Sequence, residues 1–380
     1  MTDPTATDQP GTARVLGIQI GIFFLLMGFL LLGLPAIIST VQWLLPEPVD
    51  PRGELAIYDE MGWSSTHYKE FNSLETQYRD FIGWRRAPFV GETIRIDDRG
   101  VRRTTTAAGQ KADSAQTVLL LGGSVAWGTG SRDEETIASL IAKKTGSDVT
   151  NWGESAWVSQ QSTNLLLNLT TLGERPDLVL SLDGANEVLH KCRTENSAVS
   201  GGREQRFRTA IEGAKPLSVS HAFEPLLFVA TELKRIFGPD SDPTTIYDCA
   251  SNPDKARQVA ANLVTNWKTA SRIVTERGGR YLPILQPVAF FGTTDTDYLP
   301  SVGLDSPLGK QFEAVFPEIK RQLAETELEW LDLADVFDGE EPVYVDFCHV
   351  IPAGNELIVD GILRYLMAVG PEKSGGLSLQ

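Results

Sequence analysis

The chain has 380 residues, of which 42% are hydrophobic, and its formal net charge is −16. This length and composition predict one large domain or two small ones with a sizeable core. The excess of 50 acidic over 34 basic residues argues against nucleic-acid binding, which needs a basic surface, so we expect no nucleic-acid partner. With only four histidines we expect no multi-histidine metal site, and no motif indicates a cofactor.

The N-terminal region is predicted to lie in a membrane. Residues 1–14 form a polar tail, and residues 15–45 carry no charged side chain. Because about 20 apolar residues span the hydrocarbon core of a bilayer, residues 15–45 are predicted to form a transmembrane helix. A cleaved signal peptide is the alternative, although its apolar part usually has about 7–15 residues. Arg14 is the only basic residue before the span, which predicts a single-pass protein of the inner (cytoplasmic) membrane, with a cytoplasmic tail and a periplasmic or extracellular domain.

A linker and an N-terminal extension follow at residues 46–116. Prolines at positions 46, 48 and 51 stiffen the start of this segment, and residues 92–97 alternate in the manner of a strand. Four arginines form a small basic cluster in this otherwise acidic protein: Arg95, Arg99, Arg102 and Arg103. The cluster predicts either a contact with an anionic substrate or ordinary surface ion pairs.

Strands and helices alternate from residue 117 onwards. Continuous apolar runs predict five strands, at residues 117–121, 148–152, 177–182, 281–290 and 328–337. Helices are predicted at residues 134–144, 251–277, 309–326 and 352–367, and around residues 165–169, with Ser251 as the cap of the second of these. This alternation is typical of a parallel α/β sheet.

Residues 190–250 have no strand pattern. We expect an insertion here that forms a lid or a wall of the substrate site, with helical stretches at residues 206–215 and 222–237. Residues 370–380 form a tail without a structural signal, so the folded domain is predicted to span residues 117–369.

The first predicted strand leads into the sequence GGS, in which Ser124 precedes a helical segment. Glycines permit a tight strand-to-helix turn, and open α/β sheets bind ligands at the carboxyl ends of their strands. In isolation Ser124 is better explained as a helix N-cap. The stretch GGSVAWGTG has no lysine, and its glycine spacing differs from GxGxxG, which argues against nucleotide binding.

Other polar positions follow the other predicted strands. Gly153 follows the second strand, Asn186 follows the third, and His349 follows the fifth, with Asp346 three residues earlier. Hydrolysis of an ester needs a nucleophile, a base, a group that orients the base, and donors for the oxyanion. We therefore predict that Ser124, His349 and Asp346 fill the first three roles.

The predicted oxyanion donors are the backbone N–H of Ser124, the backbone N–H of Gly153 and the side-chain amide of Asn186. His190 is a rival base, but its place four residues after Asn186, on a predicted helix, favours a structural role. No metal is predicted at this site.

These four blocks resemble those of the SGNH (GDSL-type) hydrolase family, which is named after their Ser, Gly, Asn and His. They occur in order as GGS, NWGES, GANE and DFCH. Gly123 and Glu187 stand where the family usually has Asp. The resemblance implies a flavodoxin-like three-layer α/β/α sandwich with a parallel sheet, preceded here by one N-terminal transmembrane helix. The anchor and the segment GWRRAPF–DDRGVRRT are similar to membrane-bound bacterial members of the family.

The resemblance implies a membrane-anchored serine esterase that acts on small acyl esters by a Ser-His-Asp mechanism. From the predicted location we expect acetyl esters on an envelope polysaccharide. Transfer of the acyl group to a sugar hydroxyl, with an acyl donor protein in the membrane as partner, is a close variant. The alternative is a non-catalytic envelope protein that binds or assembles a glycan on the same fold.

The three cysteines have no metal-ligand spacing. Outside the cytoplasm one pair is expected to oxidise. Cys348 is expected to pair with Cys192 or Cys249, while a Cys192–Cys249 pair or three reduced thiols are the alternatives.

Overall fold

The computed structural model describes residues 10–44, 49–106, 116–201, 204, 246–299, 303, 305–339 and 341–369. The predicted helical stretches at 206–215 and 222–237, and the tail at 370–380, lie outside the described residues. The chain divides into two compact units, one comprising residues 1–48 and 208–244 and the other residues 49–207 and 245–380.

The described part of the first unit is an apolar helix. It comprises α1 (Pro10–Gly28), a π-helical turn (Phe29–Gly33) and α2 (Leu34–Leu44). Its stretch Arg14–Thr40 has 27 residues with a mean hydropathy of 2.6 and is long and apolar enough to cross a membrane. The segment predicted at residues 15–45 is therefore helical up to Leu44, and its stretch Arg14–Thr40 has the length and composition of a span.

The second unit begins with the N-terminal extension. Two 3₁₀ turns (Pro51–Glu54 and Ala56–Tyr58) lead into α3 (Ser64–Ser73). An antiparallel hairpin of β1 (Thr76–Arg79) and β2 (Gly83–Arg86) follows, and then a short antiparallel pair, β3 (Phe89–Val90) and β4 (Arg95–Ile96). Aromatic side chains of the extension join the main core, among them Tyr58, Tyr68 and Trp84.

A parallel sheet of five strands forms the centre of the second unit, in the order β6-β5-β7-β8-β9. The strands are β5 (Thr117–Gly122), β6 (Asp148–Asn151), β7 (Leu178–Asp183), β8 (Arg280–Leu285) and β9 (Leu331–Asp332). Because both faces are covered, the central strands are continuously apolar, and Leu120 and Leu180 are fully buried. This strand order is flavodoxin-like and confirms the predicted fold.

The last two strands are shorter than predicted. β8 stops before Pro287, which has no N–H to continue the ladder. β9 has only two residues, because the Asp332 carboxylate accepts the Ala334 N–H at 3.0 Å and turns the chain away from the sheet edge.

Helices cover both faces of the sheet. They are α4 (Ser124–Trp127), α5 (Ile137–Thr145), α6 (Ser159–Thr171), α7 (Ala185–Lys191), α8 (Pro253–Thr275), α9 (Gly309–Ala324) and α10 (Pro352–Ala368). Right-handed crossovers place α5 on one face and α6, α8 and α9 on the other. α10 packs on α5, where Lys144 pairs with Glu356 and Asp360.

Two helix starts differ from the prediction for reasons of capping. α5 begins at Ile137, after Thr136, whose hydroxyl accepts the Ser139 N–H. α8 is capped by Asn252 and not by Ser251, since the Asn252 side chain accepts the Lys255 N–H at 3.2 Å.

Candidate active site

Ser124 lies at the sharp turn between β5 and α4. Gly122 ends the strand with a φ of 133°, and a Cβ there would lie 2.2 Å from the Leu182 carbonyl oxygen, so only glycine fits. Gly128 ends α4 in the left-handed conformation, with a φ of 94°. The turn holds Ser124 at the carboxyl end of β5, where the strand order reverses, which is where open α/β sheets bind ligands.

His349 lies between Ser124 and Asp346. Its Nε2 is 2.6 Å from Ser124 Oγ, and its Nδ1 is 2.6 Å from Asp346 Oδ2. An ionised carboxylate only accepts hydrogen bonds, so Nδ1 carries the proton and Nε2 accepts from the Ser124 hydroxyl. The structure brings together the three residues predicted as nucleophile, base and orienting group, and His349 rather than His190 contacts the serine.

Asp346 is held as a carboxylate. Its Oδ1 accepts the backbone N–H groups of Cys348 at 3.0 Å and of His349 at 2.9 Å. Burial alone would raise the pKa of Asp346, but the attraction of His349 and these hydrogen bonds outweigh it and hold the pKa well below its usual range. The ionised form is the one that fixes the imidazole tautomer.

A short loop carries Asp346 and His349 as one rigid piece. Tyr344 and Val350 form an antiparallel bridge across its base, and the Val345 N–H donates to the His349 carbonyl at 2.8 Å. The two side chains are therefore oriented by local backbone hydrogen bonds.

Two of the predicted oxyanion donors meet at the nucleophile turn. The Ser124 N–H is the first of α4, and the first N–H groups of a helix have no partner within it. Asn186 Nδ2 donates one hydrogen to the Trp157 carbonyl at 2.8 Å and keeps a second hydrogen. This amide lies close to the backbone that precedes Ser124, since a Cβ on Gly123 would lie 2.5 Å from Asn186 Nδ2.

Gly153, the third predicted donor, packs against α4. A Cβ there would lie 2.5 Å from the Trp127 backbone nitrogen, so the position requires glycine. Its N–H donates to Asn151 Oδ1 at 3.1 Å. The residue is thus next to the nucleophile turn as predicted, whereas its N–H already has a partner in its own loop.

Glu187 connects the starts of α6 and α7. Its Oε1 accepts the Ser159 N–H at 2.6 Å, and its Oε2 accepts the Gly184 N–H at 3.2 Å. The side chain is fully buried, with Lys191 Nζ 3.8 Å away. The Glu187 carboxylate therefore fixes the turn that carries Asn186.

The N-terminal extension supports the loop after Ser124, which the sequence reasoning did not predict. Carbonyl oxygens of residues 128–131 accept hydrogen bonds from three buried side chains of the extension. Arg102 donates to Gly128 and Ser131 at 2.5 and 2.6 Å, His67 to Thr129 at 2.8 Å, and Tyr58 to Gly130 at 2.6 Å. Burial, and then the charge of Arg102, lower the pKa of His67 to about 3, so this histidine is neutral and structural.

The predicted arginine cluster is divided. Arg102 is fully buried and pairs with Asp133 at 3.1 Å. Arg99 is exposed and pairs with Asp97 at 3.0 Å, and all four arginines line one surface pocket. Three of the four arginines are therefore exposed at this pocket, whereas the Arg102 side chain is buried.

A further arginine of the extension reaches the catalytic loop. Arg52 Nη1 lies 3.4 Å from Asp346 Oδ2, the atom that also binds His349 Nδ1. No motif in the sequence indicated this residue.

Within the described residues, one group of potential metal ligands is close enough to share an ion. Ligand atoms of Asp346, Cys348 and His349 lie within 4.8 Å of one another. His349 Nδ1 is already bonded to Asp346, and burial, followed by the Asp346 charge, raises the pKa of the Cys348 thiol, which favours its neutral form. These side chains are better suited to proton transfer than to holding a metal.

The expected disulfide pairing is wrong. Cys192 is bonded to Cys249, with their Cα atoms 5.1 Å apart, and Cys348 is a free, buried thiol. An antiparallel bridge between Arg193 and Tyr247 brings the two ends of the insertion together beside the disulfide. Cys348 lies instead in the loop that carries the catalytic pair, and its Sγ is 3.9 Å from His349 Nδ1.

Comparisons with known proteins give structural likenesses only. No protein-family model matches the chain, and no curated protein matches its sequence. A member of the lipolytic protein G-D-S-L family from Veillonella parvula is 14% identical, with a TM-score of 0.37, over 66% of this chain and 97% of that one. That protein is named after the family whose blocks this sequence resembles.

Two other similar structures are of proteins named as hydrolases. An alpha/beta hydrolase enzyme from the metagenome of Lake Arreo is 12% identical, with a TM-score of 0.36, over 71% of this chain and 100% of that one. A catalytic mutant of an acetylxylan esterase from Geobacillus stearothermophilus is 12% identical, with a TM-score of 0.37, over 70% of this chain and 97% of that one. At these values the likeness does not by itself assign an activity to this chain.

Proposed function

We propose that this chain is a serine ester hydrolase of the SGNH type. The observation that carries the proposal is the line of two 2.6 Å hydrogen bonds from Ser124 through His349 to Asp346. The line lies at the carboxyl end of β5, beside the amide of Asn186. A nucleophile, a base, an orienting carboxylate and an oxyanion donor are the parts that acyl transfer to serine requires.

The reaction proceeds in two halves. Ser124 Oγ attacks the acyl carbonyl while His349 Nε2 takes its proton, and Asp346 stabilises the imidazolium that forms. The Ser124 N–H and the Asn186 amide donate to the oxyanion. The leaving alcohol then takes the proton from His349 and leaves an acyl group on Ser124. Water attacks this ester with the same proton movements and releases the acid.

We infer a membrane-anchored enzyme whose catalytic domain lies outside the cytoplasm. The apolar helix Arg14–Thr40 has the length of a span. The Cys192–Cys249 disulfide supports the location, because such bonds persist in oxidising compartments. In that setting the proposed substrate is an acetyl ester on an envelope polysaccharide.

Two variants of this function are distinguished by the acceptor. If a sugar hydroxyl attacks the acyl-serine in place of water, the enzyme is an O-acetyltransferase. In that variant a membrane protein donates the acyl group to Ser124. A purely glycan-binding protein needs no hydrogen bond between His349 and Ser124, so the assembled catalytic line favours an enzyme over that alternative.

The test uses the whole 380-residue chain in detergent. We expect hydrolysis of 4-nitrophenyl acetate that falls with longer acyl chains, and release of acetate from an acetylated polysaccharide. Ser124→Ala should lower kcat/KM by at least about 10³-fold, while Ser65→Ala, at an exposed serine outside the insertion, should not. Absence of ester hydrolysis by the folded wild type, with acetyl transfer to added sugar also absent, contradicts the proposal.

A further inference from the structure

We propose that Arg52, from the linker that follows the apolar helix, is a positioning residue for the Asp346–His349 pair. The inference rests on the proposed function. It makes the first turn of the N-terminal extension part of the active site, although residue 52 lies 294 positions before Asp346 in the chain.

Arg52 is oriented by an ion pair with a fixed carboxylate. Its Nε and Nη2 donate to the two oxygens of Asp50 at 3.0 and 2.8 Å, which leaves Nη1 to face Asp346 Oδ2 at 3.4 Å. Asp50 is itself held, because it accepts the Arg52 N–H at 3.0 Å and the Asn72 side-chain amide at 3.2 Å.

Aromatic rings hold the guanidinium from a second side. The Arg52 guanidinium lies 5.0 Å from the ring centroid of Tyr68 and 5.4 Å from that of Phe71. Tyr68 also contacts Tyr58, whose hydroxyl donates to the Gly130 carbonyl in the loop after Ser124. The pair of Tyr58 and Tyr68 therefore supports both Arg52 and the loop after Ser124.

The backbone of the turn is equally constrained. A Cβ on Gly53 would lie 2.9 Å from Tyr68 Cδ2, and the Gly53 carbonyl accepts the Ser64 hydroxyl at 2.9 Å. Arg52 thus extends from a packed turn, and its approach to Asp346 is set by the fold of the extension.

Arg52 approaches the same Asp346 oxygen that binds His349, the proposed base. Asp346 Oδ2 receives both His349 Nδ1 at 2.6 Å and Arg52 Nη1 at 3.4 Å. At 3.4 Å the hydrogen bond to Arg52 is long, so the guanidinium acts mainly through its charge. This charge offsets part of the Asp346 charge, so its removal leaves a more negative environment around the His349 ring.

Besides His349, the charged or titratable groups that interact with Arg52 or Asp346 include Asp50, Tyr58, His67, Tyr68 and Cys348. Burial lowers the pKa of Arg52, but its hydrogen bond to Asp50 and the charges of Asp50 and Asp346 outweigh burial and raise it, so Arg52 stays charged. The positive charge that Arg52 places beside Asp346 is therefore constant across the working pH range.

The experiment compares Arg52→Gln with Arg52→Lys and with Arg99→Gln in the whole chain. Arg99 is a matched control because it makes the same pairing with an aspartate two residues earlier, Asp97, on the exposed surface. We measure kcat and KM for 4-nitrophenyl acetate against pH, together with the unfolding temperature.

For Arg52→Gln we expect kcat to fall about 10-fold with KM unchanged, because the Asp346 carboxylate loses a partner that holds it in position. The acid limb of the pH profile should move up by about half to one pH unit, because the Asp346 charge is no longer offset. Arg52→Lys should keep the acid limb near that of the wild type, and Arg99→Gln should match the wild type throughout. A wild-type acid limb in Arg52→Gln contradicts the proposal, as does an equal loss in Arg52→Lys. If Arg52→Gln does not fold, the acid limb of Arg52→Lys decides, because a displaced limb there contradicts the proposal.

A second readout separates this inference from the proposed function. The chain has four histidines, so ¹³C-labelled rings give few signals, and the one absent from His349→Asn belongs to His349. In Arg52→Gln its titration midpoint should move to higher pH even if no ester is hydrolysed. Movement without hydrolysis leaves the Arg52 inference standing and overturns the proposed function, whereas hydrolysis without movement overturns the Arg52 inference alone.

Discussion

The side-chain amide of Asn186 lies against the backbone of Gly123, so closely that a Cβ at residue 123 would be 2.5 Å from Asn186 Nδ2. Real Cβ atoms do not approach other heavy atoms this closely, so the absence of a side chain at residue 123 is what admits the amide. In the family that the sequence resembles, an Asp usually stands at the position of Gly123. The two departures from the family pattern, Gly123 and Glu187, both shape the placement of Asn186.

Gly123→Ala should therefore impair catalysis without unfolding the protein. The new methyl group displaces the Asn186 amide from the nucleophile turn, and we expect kcat to fall by about 10- to 100-fold. Gly62→Ala is the control, because a Cβ at Gly62 has no neighbour within 4 Å. Unchanged kcat in a folded Gly123→Ala variant would show that the close approach has no role in the reaction.

Asn186→Ala tests the oxyanion donor itself. Loss of one such donor typically lowers kcat by about 10²–10³-fold, and KM for a small ester should change little because the donor acts on the transition state. Asn168→Ala, at a half-buried residue of α6, serves as the control for removal of an amide. A variant that changes only KM would assign Asn186 to substrate binding instead.

The disulfide can be tested by counting thiols. The unfolded, unreduced chain should show one reactive thiol, Cys348, and the reduced chain should show three. The bond closes a loop with a sequence separation of 57, so its loss should lower the free energy of unfolding by up to about 4 kcal/mol on the loop-entropy estimate. Cys348→Ala is the matched variant that keeps the bond, and three thiols before reduction would refute the pairing.

Asp183 should make the protein less stable as pH rises. Burial, and then the charge of Glu187, raise the pKa of Asp183 from 3.8 to about 7. Between these values the folded state holds a proton that the unfolded state has lost, so this stabilisation is complete at low pH and disappears as pH rises through about 7. The free energy of unfolding falls over this range by about 1.4 kcal/mol for each unit by which the pKa of Asp183 is raised on folding.

Asp183→Asn removes this titration while retaining the shape of the side chain. The decrease in unfolding temperature between about pH 5 and about pH 8 should be smaller in Asp183→Asn than in the wild type. Asp254→Asn, at an exposed carboxylate, should behave as the wild type. An identical pH dependence in the wild type and Asp183→Asn would mean that Asp183 is ionised throughout.

The sequence predicts the positions that depend on local pattern. Ser124, Asn186 and His349 each follow a strand, and the carboxyl ends of parallel strands meet at one edge, so chain order alone suffices to group them. Strand β9 is shorter than the apolar run at residues 328–337 predicts. It has only two residues, because the Asp332 side chain accepts the Ala334 N–H and turns the chain.

Features that depend on distant contacts could not be predicted. Arg52 and Arg102 belong to a segment whose partners lie far along the chain, and nothing in their neighbourhood marks the residue that reaches Asp346 or the Gly128 carbonyl. The disulfide pairing depends likewise on how the ends of the insertion meet, which the bridge between Arg193 and Tyr247 decides.

The most direct test of the central claim, that His349 activates Ser124, is labelling with a fluorophosphonate probe. The whole chain in detergent is treated with the probe, digested, and the adduct located by mass spectrometry, with Ser124→Ala and His349→Ala treated in parallel. We predict one adduct, on Ser124, that is absent from Ser124→Ala and strongly reduced in His349→Ala. A folded wild type that takes up no label at Ser124, or an adduct that forms equally well in His349→Ala, would contradict the account.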